Sequence, residues 1–194
     1  MKTIQVKTLM VPLADYATVD ENASMAEAVQ ALEQSRDQFD KKKLAHRAIL
    51  VTDSKKRVVG RISYLDFLQG LEPKYSEVEE LMNTINRNLG SRYHLAADYT
   101  PDSLQAQIKK FSLWKKPLTD LCGKTAACHV KDFMHIPNDA DYISEDASLD
   151  QAIHQFIVIR TQSLLVRKGK DIIGILRLSD VVEKIFGMIK ACPL

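Results

Sequence analysis

Cys128 and His129 are the residue types that serve as nucleophile and general base in covalent catalysis, and they are adjacent in the sequence. Adjacent side chains do not face each other on a helix, however, and they point to opposite faces of a strand. No acidic residue at a suitable spacing completes the set. The other histidines, His46, His94, His135 and His154, lack the four-residue spacing of a helical metal site, and the chain has neither a Walker loop nor a GxSxG motif. We therefore expect no catalytic residue, no metal site and no required cofactor.

The composition restricts where the chain could act. Its 27 lysines and arginines against 25 aspartates and glutamates leave a net charge of +2, too little to attract nucleic acid or an anionic membrane over a broad surface. No apolar run reaches the ~20 residues of a membrane span, and Gln5 and Lys7 interrupt the first apolar residues, unlike in a signal peptide. We expect a cytoplasmic protein without membrane contact, whose three cysteines are reduced because they form neither an even set nor a CxxC pair.

The sequence contains an internal repeat. "GRISYLD" at 60–66 matches "GILRLSD" at 174–180, and both stretches begin with glycine and close with aspartate. Farther upstream, "VKTLMVP" matches "VKDFMHIP", and "ATVDENASMAEAV" at 17–29 matches "DYISEDASLDQAI" at 141–153, both with an offset of 124 residues. The same order of motifs, with an offset of 124 residues in the upstream motifs and 114 residues at the glycine motifs, indicates two copies of one structural unit.

Each copy predicts a strand, a helix, a two-stranded hairpin and a second helix. Capping boxes begin the first helix, where Ser24 is followed by Glu27 and Ser148 by Gln151. The hairpins are "AILV" with "RVVGRIS" and "SLLV" with "DIIGILR", each joined by a polar turn. The apolar face of the first helix is predicted to carry Ala28, Val29 and Leu32 in copy one and Ala152, Ile153 and Phe156 in copy two.

This pattern predicts an α+β fold of two pseudo-symmetric β-α-β-β-α repeats with a helical insert between them. We place repeat 1 at residues 1–70, the insert at 71–128 and repeat 2 at 129–194. One copy alone is too small to be very stable, so we expect the two repeats to pack face to face as one module.

The doubled motifs resemble those of the CBS domain family, whose members usually occur as tandem pairs called Bateman modules. The resemblance rests on "VKTLM" and "VKDFM", on the helices "ASMAEAV" and "ASLDQAI", and on "ILVTDSKKRVVGRISYLD" with its shorter counterpart "LLVRKGKDIIGILRLSD". It covers residues 6–70 and 130–188. The resemblance implies a regulatory module that binds AMP, ADP, ATP or S-adenosylmethionine in clefts between the repeats.

The resemblance also implies which residues bind the ligand. The aspartate that closes the family motif takes the two ribose hydroxyls, since a carboxylate offers only acceptors, and Asp66 and Asp180 occupy that position. Three residues earlier the family usually has Ser or Thr to hold a phosphate at a helix start. Ser63 fits, whereas Arg177 departs: it could pair with phosphate in a bidentate manner or reach across to an acidic partner.

For the adenine ring, the resemblance points to the first strand and to the residue that opens the hairpin. These are Val19 and Ala48 in copy one and Ile143 and Ser163 in copy two. The chain departs from the family in having Leu50 and Leu165 where proline is frequent, and Arg167 where an aspartate usually opens the hairpin turn in copy two.

A purely structural interpretation competes with the ligand site. Gly60 and Gly174 would serve only to let backbones pack closely, and Asp66 and Asp180 would lie in the first turn of a helix, where the helix dipole favours a carboxylate. The sequence leaves both interpretations open.

The insert is predicted to be helical. "YSEVEELMNTINRNL" has apolar residues at helical spacing. Thr100 and Pro101 should begin a second helix that ends before Pro117, and a short helical turn could follow from Pro117 to Cys122. Trp114 lies among lysines and could stack on a nucleic acid base, but a helix end with snorkelling lysines is the commoner structure, so we do not expect nucleic acid binding.

Two functions remain in competition. The first is a regulatory, non-catalytic module that senses an adenosine-containing ligand and signals through rearrangement of a homodimer or of the insert, since similar CBS pairs commonly form dimers through their helices. The second is a ligand-independent dimerisation or scaffold module whose insert, residues 71–128, binds a protein partner.

Overall fold

The protein is described here by a computed structural model, which covers residues 4–38, 48–75, 77–78, 100–115 and 118–192. Repeat 1 contains β1 (Val11–Pro12), β2 (Thr18–Asp20), α1 (Met25–Gln38), β3 (Ala48–Thr52), β4 (Val58–Ser63) and α2 (Tyr64–Gly70). The insert contributes α3 (Pro101–Lys110) and α4 (Leu121–Ala127). Repeat 2 contains β5 (Tyr142–Ser144), α5 (Leu149–Ile159), β6 (Ser163–Lys168), β7 (Asp171–Arg177) and α6 (Leu178–Lys190).

Within the described residues the strands form two sheets of the same design. In repeat 1, β2 pairs in parallel with β3 and β3 in antiparallel with β4; in repeat 2, β5, β6 and β7 pair in the same way. The parallel pair in each repeat is joined by a helix, and the antiparallel pair by a short polar turn. The α+β class and the two hairpins predicted from the sequence are confirmed.

The two repeats exchange their leading segments. Strand β1 comes from the start of repeat 1 but pairs with β7 of repeat 2, with Val11 opposite Ile175. In the other direction, His135 at the start of repeat 2 forms an antiparallel bridge with Arg61 in β4. The backbone amide of Val6 also donates to Ala147 O at 2.9 Å, and that of Val130 to Ala23 O at 2.8 Å. Each repeat is therefore completed by chain from the other, so the two form one structural module.

Two glycines make this exchange possible. A Cβ added to Gly60 would lie 2.6 Å from the sulfur of Met134 and 3.2 Å from His135 O. At Gly174 a Cβ would overlap the carbonyl oxygen of Val11. The structural reason for these glycines is therefore the close approach of the partner repeat's leading segment.

Three buried clusters hold the module together. One lies under the helices of each repeat, around Val51 in repeat 1 and Val166 in repeat 2. The third joins the two sheets and is formed by Tyr16, Leu50, Leu165 and Ile175. Leu50 and Leu165, where the family frequently has proline, are thus core residues shared between the repeats.

The predicted capping boxes are confirmed at both first helices. The Ser24 amide donates to Glu27 Oε2 at 2.7 Å, and the Ser148 amide donates to Gln151 Oε1 at 2.9 Å. The predicted apolar face needs one correction in α1. Val29 is 40% exposed, whereas its counterpart Ile153 in the second copy packs against the core of repeat 2.

The described part of the insert packs back on the end of repeat 1. Thr100 caps α3, with Pro101 at its first position as predicted, and α4 extends to Ala127, beyond the predicted Cys122. The Trp114 amide donates to Oε2 of the buried Glu72 at 2.7 Å, and its indole N–H donates to Tyr75 OH at 3.1 Å. Trp114 therefore anchors the insert. The first predicted insert helix lies largely outside the described residues.

Across the described ranges, no helix combines the length and the apolar character that crossing a membrane requires.

Candidate functional site

Ser63 and Asp66 form a compact unit at the start of α2. Ser63 caps the helix, and Oδ2 of Asp66 accepts from both the amide and the hydroxyl of Ser63 at 2.6 Å. Oδ1 of Asp66 has no hydrogen bond to any residue that the structure describes. Ser63 lies opposite Ala48 in the β3–β4 pair, so three of the predicted ligand residues are neighbours.

Arg177 and Asp180 are arranged differently at the start of α6. The Arg177 Nε and Nη2 atoms donate to the two carboxylate oxygens of Asp180, both at 2.6 Å. Both side chains are largely buried, with exposed fractions of 10% and 18%. Of the two alternatives left open by the sequence, the structure shows Arg177 paired with an acidic residue, and that residue is the predicted ribose-binding aspartate itself.

A cleft of about 910 Å³ opens beside this ion pair, and we call it the Asp180 cleft. One wall is Arg177 and Asp180 from repeat 2. The other is the leading segment of repeat 1, from Thr8 to Thr18, together with one face of α1. The residues that line it are Thr8, Leu9, Met10, Val11, Pro12, Ala14, Asp15, Tyr16, Ala17, Thr18, Ala31, Gln34, Ser35, Arg177 and Asp180.

A smaller cavity of about 330 Å³ lies next to the Asp180 cleft and shares Tyr16 and Arg177 with it. It brings together residues predicted to belong to separate sites, namely Ala48 and Ser63 from repeat 1 and Ser163 and Arg177 from repeat 2. Burial raises the pKa of Tyr16 to about 12, so its phenol stays a neutral hydrogen-bonding group at physiological pH. Apolar side chains, hydroxyl groups and the Arg177–Asp180 pair thus line two adjacent spaces at the junction of the repeats.

Arg61 forms a buried network between the repeats that the sequence reasoning missed. Its Nη2 donates to Asp141 Oδ1 at 2.7 Å, and its Nη1 donates to Ser163 O at 2.7 Å. The ion pair is almost fully buried, with 12% of the Arg61 side chain and 6% of the Asp141 side chain exposed. A signal was available, because the equivalent residues in the other copy are apolar: Ile175 for Arg61 and Ala17 for Asp141.

The polar neighbours of Asp141 stabilise its ionised carboxylate. Burial alone would raise its pKa, but hydrogen bonds from His135 and from the Asn138 amide, with the charge of Arg61, lower the pKa below its usual value. His135 Nε2 lies 3.0 Å from Oδ2, so both carboxylate oxygens are engaged.

The remaining predicted contacts lie away from the cavities. Val19 and Ile143 are both buried, and their side chains pack in the cores of repeats 1 and 2. Neither residue lines the Asp180 cleft or the smaller cavity. A contact with adenine through the backbone of these strands stays a prediction.

The structure corrects one expectation about Cys128 and His129, because His129 Nδ1 lies 3.8 Å from Asp132 Oδ2 and an acidic residue therefore does stand beside the histidine. The surroundings of Cys128 nevertheless disfavour a reactive thiolate. Burial, with a smaller contribution from Asp132, raises the pKa of the Cys128 thiol, which opposes formation of a thiolate. Its sulfur lies 3.7 Å from Gly70 O, a structural contact. In the ranges given above, no three His, Cys, Asp or Glu side chains are grouped so that they could hold a metal ion.

Comparison with known proteins gives consistent results for the fold. The chain is similar to CBSX2 from Arabidopsis thaliana, a CBS-pair protein, with 17% identity over 97% of this chain and 98% of that one and a TM-score of 0.56. A structure of CBSX2 in complex with AMP aligns at 16% identity over 95% and 98%, with a TM-score of 0.55. The CBS domain of a bacterial CNNM/CorC family Mg²⁺ transporter in complex with ATP aligns at 13% identity over 96% and 89%, with a TM-score of 0.58.

No curated protein sequence matches the chain. The family model described as CBS domain does match, and it does so twice, at residues 6–72 and 130–187, which together span more than half of the chain. The two matches coincide with the two repeats that exchange their leading segments. The chain therefore belongs to the CBS domain family, as a tandem pair.

Proposed function

We propose that this CBS pair is a regulatory, non-catalytic module that binds an adenosine-containing ligand, such as AMP, ADP, ATP or S-adenosylmethionine, in the Asp180 cleft. The observation that carries the proposal is the cleft itself, about 910 Å³ in volume, with Asp180 and Arg177 in one wall and the leading segment of the other repeat in the opposite wall. CBSX2 with AMP and the CNNM/CorC domain with ATP support nucleotide binding by this fold in general.

The Arg177–Asp180 ion pair suggests how a nucleotide would be recognised. A phosphate is an alternative bidentate partner for the guanidinium of Arg177. Once Arg177 turns to the phosphate, both oxygens of Asp180 become acceptors for a pair of ribose hydroxyls. Ser63, Ser163 and Ser179 in the adjoining cavity add further hydroxyl groups.

Ligand binding in this cleft would change how the two repeats are arranged relative to each other. Its two walls come from different repeats, so a ligand stabilises whichever arrangement gives the better fit. Leu65 and Leu68 on α2 and Phe186 and Ile189 on α6 are largely exposed apolar residues, suited to the homodimer expected from the sequence. A cytoplasmic location is part of the same proposal.

A thermal-melt screen with AMP, ADP, ATP, S-adenosylmethionine and NAD tests the proposal. A ligand at 100 times its dissociation constant adds about 2.7 kcal/mol of stability. For a chain of this length the melting temperature should therefore rise by roughly 5 to 11 °C. The rise should disappear in Asp180→Ala, and a melting temperature that none of the five compounds changes would contradict the proposal.

Arg177→Ser tests whether Arg177 exchanges Asp180 for the phosphate of the ligand, since a phosphate-binding role and a blocking role change the affinity for ATP in opposite directions. If Arg177 binds the ligand's phosphate, the variant should bind ATP at least 10-fold more weakly, because a charged hydrogen bond of roughly 1.5–3 kcal/mol is lost. Binding of adenosine, which has no phosphate, should be unchanged or tighter because Asp180 is released. Tighter binding of ATP would instead show that Arg177 only blocks the site, and calorimetry distinguishes the two results.

The second candidate function is a ligand-independent scaffold whose insert binds a protein partner. Two observations favour it: both oxygens of Asp180 are already engaged, and Leu104 and Ile108 on α3 are 46% and 43% exposed. Under this function, Leu104→Ser with Ile108→Ser should abolish capture of a partner, whereas Asp180→Ala should not affect it.

A further inference from the structure

The repeat relates the Asp180 cleft to a second region of the molecule, which we call the Asp66 cleft. It is formed by residues 132–142, the counterpart of 8–18, with Ser63 and Asp66 in place of Arg177 and Asp180. The strand registers confirm this correspondence, since Ser63 lies opposite Ala48 just as Arg177 lies opposite Ser163. The two clefts can therefore be compared position by position.

The two clefts differ at two positions that change from apolar to charged. Beside Asp180 the residues are Ala17, which lines the cleft, and Ile175, which packs in the core between the sheets. Their counterparts beside Asp66 are Asp141 and Arg61. A small cleft residue and an aliphatic core residue of one half are thus replaced by an oppositely charged pair in the other.

Arg61 and Asp141 form a buried ion pair in this region. Arg61 extends from repeat 1 to repeat 2, where it donates to Asp141, to Ser163 O at 2.7 Å and to Thr161 Oγ1 at 3.3 Å. His135 and the Asn138 amide engage the remaining oxygen of Asp141. The Nη1 and Nη2 groups of Arg61 and both carboxylate oxygens of Asp141 are consequently engaged by the protein itself.

A nucleotide in the Asp180 cleft has to separate Arg177 from Asp180. One in the Asp66 cleft would have to break the Arg61–Asp141 pair, whose carboxylate is more buried and is also held by His135 and the Asn138 amide. That would leave the Asp141 carboxylate buried beside an anionic phosphate, an arrangement that burial and repulsion both oppose. In the Asp180 cleft no such charge stands at the equivalent position, because Ala17 carries no polar side chain.

We propose that Arg61 closes the Asp66 cleft, so that the chain offers a single nucleotide site, the one beside Asp180. The identity of the ligand rests on the proposed function, but the closure by Arg61 does not. The CBS pair is then asymmetric in function although its repeats are alike in fold.

Calorimetric titration with ATP, and separately with AMP, tests the number of sites. Wild-type protein should bind one nucleotide per chain. The double variant Arg61→Ile with Asp141→Ala, which copies the equivalent residues Ile175 and Ala17, should bind two. Two nucleotides per wild-type chain, or an unchanged single site in the double variant, would overturn the proposal.

A melting experiment on the same variants tests the buried ion pair, on which the closure depends, without any ligand. Asp141→Ala leaves the Arg61 cation buried and unpaired, whereas the double variant removes that cation as well. The double variant should therefore melt at a higher temperature than Asp141→Ala alone. If the two substitutions lower the melting temperature additively, Arg61 and Asp141 are not coupled, and the proposed closure is overturned. If no titration shows heat but the double variant is the more stable, the proposed nucleotide function fails, while the buried ion pair that the closure requires stands.

Discussion

Asp141→Ala should lower the melting temperature of the protein by roughly 6 to 20 °C. Removing one partner of a buried ion pair costs about 3–5 kcal/mol because the other charge is left without compensation, and each kcal/mol corresponds to roughly 2–4 °C at this chain length. Here the charge that loses its ion-pair partner is that of Arg61, whose side chain is 12% exposed. Thermal unfolding followed by circular dichroism measures the effect.

Asp146→Ala is the matched control for this prediction. Asp146 also forms an ion pair between the repeats, with Lys7 at 2.8 Å, but the two side chains are 65% and 43% exposed. Water already solvates both charges, so the melting temperature should hardly change. Equal effects of Asp141→Ala and Asp146→Ala would show that the Arg61 network is not buried in solution.

Gly174→Ala should destabilise the protein and weaken nucleotide binding together. The added Cβ would overlap Val11 O and lie 3.2 Å from the sulfur of Met10, so β1 must move away from β7. Overpacking of this kind costs about 1–3 kcal/mol, or roughly 2 to 12 °C in melting temperature. Met10 and Val11 also line the Asp180 cleft, so the same displacement should lower the affinity for the nucleotide.

Gly187→Ala is the same substitution at a position where we expect the opposite effect on stability. Gly187 lies in α6, and a Cβ there would meet no atom within 4 Å. Alanine in a helix is more stable than glycine by about 0.5–1 kcal/mol, so this variant should melt slightly above wild type and bind nucleotide normally. A lower melting temperature for Gly187→Ala than for Gly174→Ala would contradict the role assigned to Gly174.

Much of the fold could be predicted from the sequence because its signals are local. The capping boxes at Ser24 and Ser148 satisfy amides within one helical turn, and the hairpins follow from apolar runs on either side of short polar turns. The repeat supplied the remaining evidence, since each copy supported the interpretation of the other. Local periodicity failed only where an adjacent residue, Val29, was placed on the buried face.

The exchange of the leading segments could not be predicted in the same way. The match between residues 6–12 and 130–137 does not indicate which repeat each segment packs against. The choice depends on the close approach of β1 to Gly174, which is a contact between residues far apart in the chain. The sequence showed the glycines but not which backbone they accommodate.

The sequence predicted the types of residue at the candidate site better than it predicted which of these residues lie together. Ser63, Ala48, Ser163 and Arg177 were assigned to two separate sites, yet they line one cavity at the junction of the repeats. The pairing of Arg177 with Asp180 was one of two stated alternatives. Arg61 was overlooked because an arginine one residue after a glycine resembles an ordinary exposed strand residue.

The most direct test of this account is a calorimetric titration of wild-type protein and Asp180→Ala with ATP and AMP. The account predicts one binding event per wild-type chain for at least one of the two nucleotides and its loss in Asp180→Ala, with the folded state of the variant verified by its melting curve. The absence of heat for both nucleotides with wild type, or binding to Asp180→Ala with unchanged affinity, would contradict it.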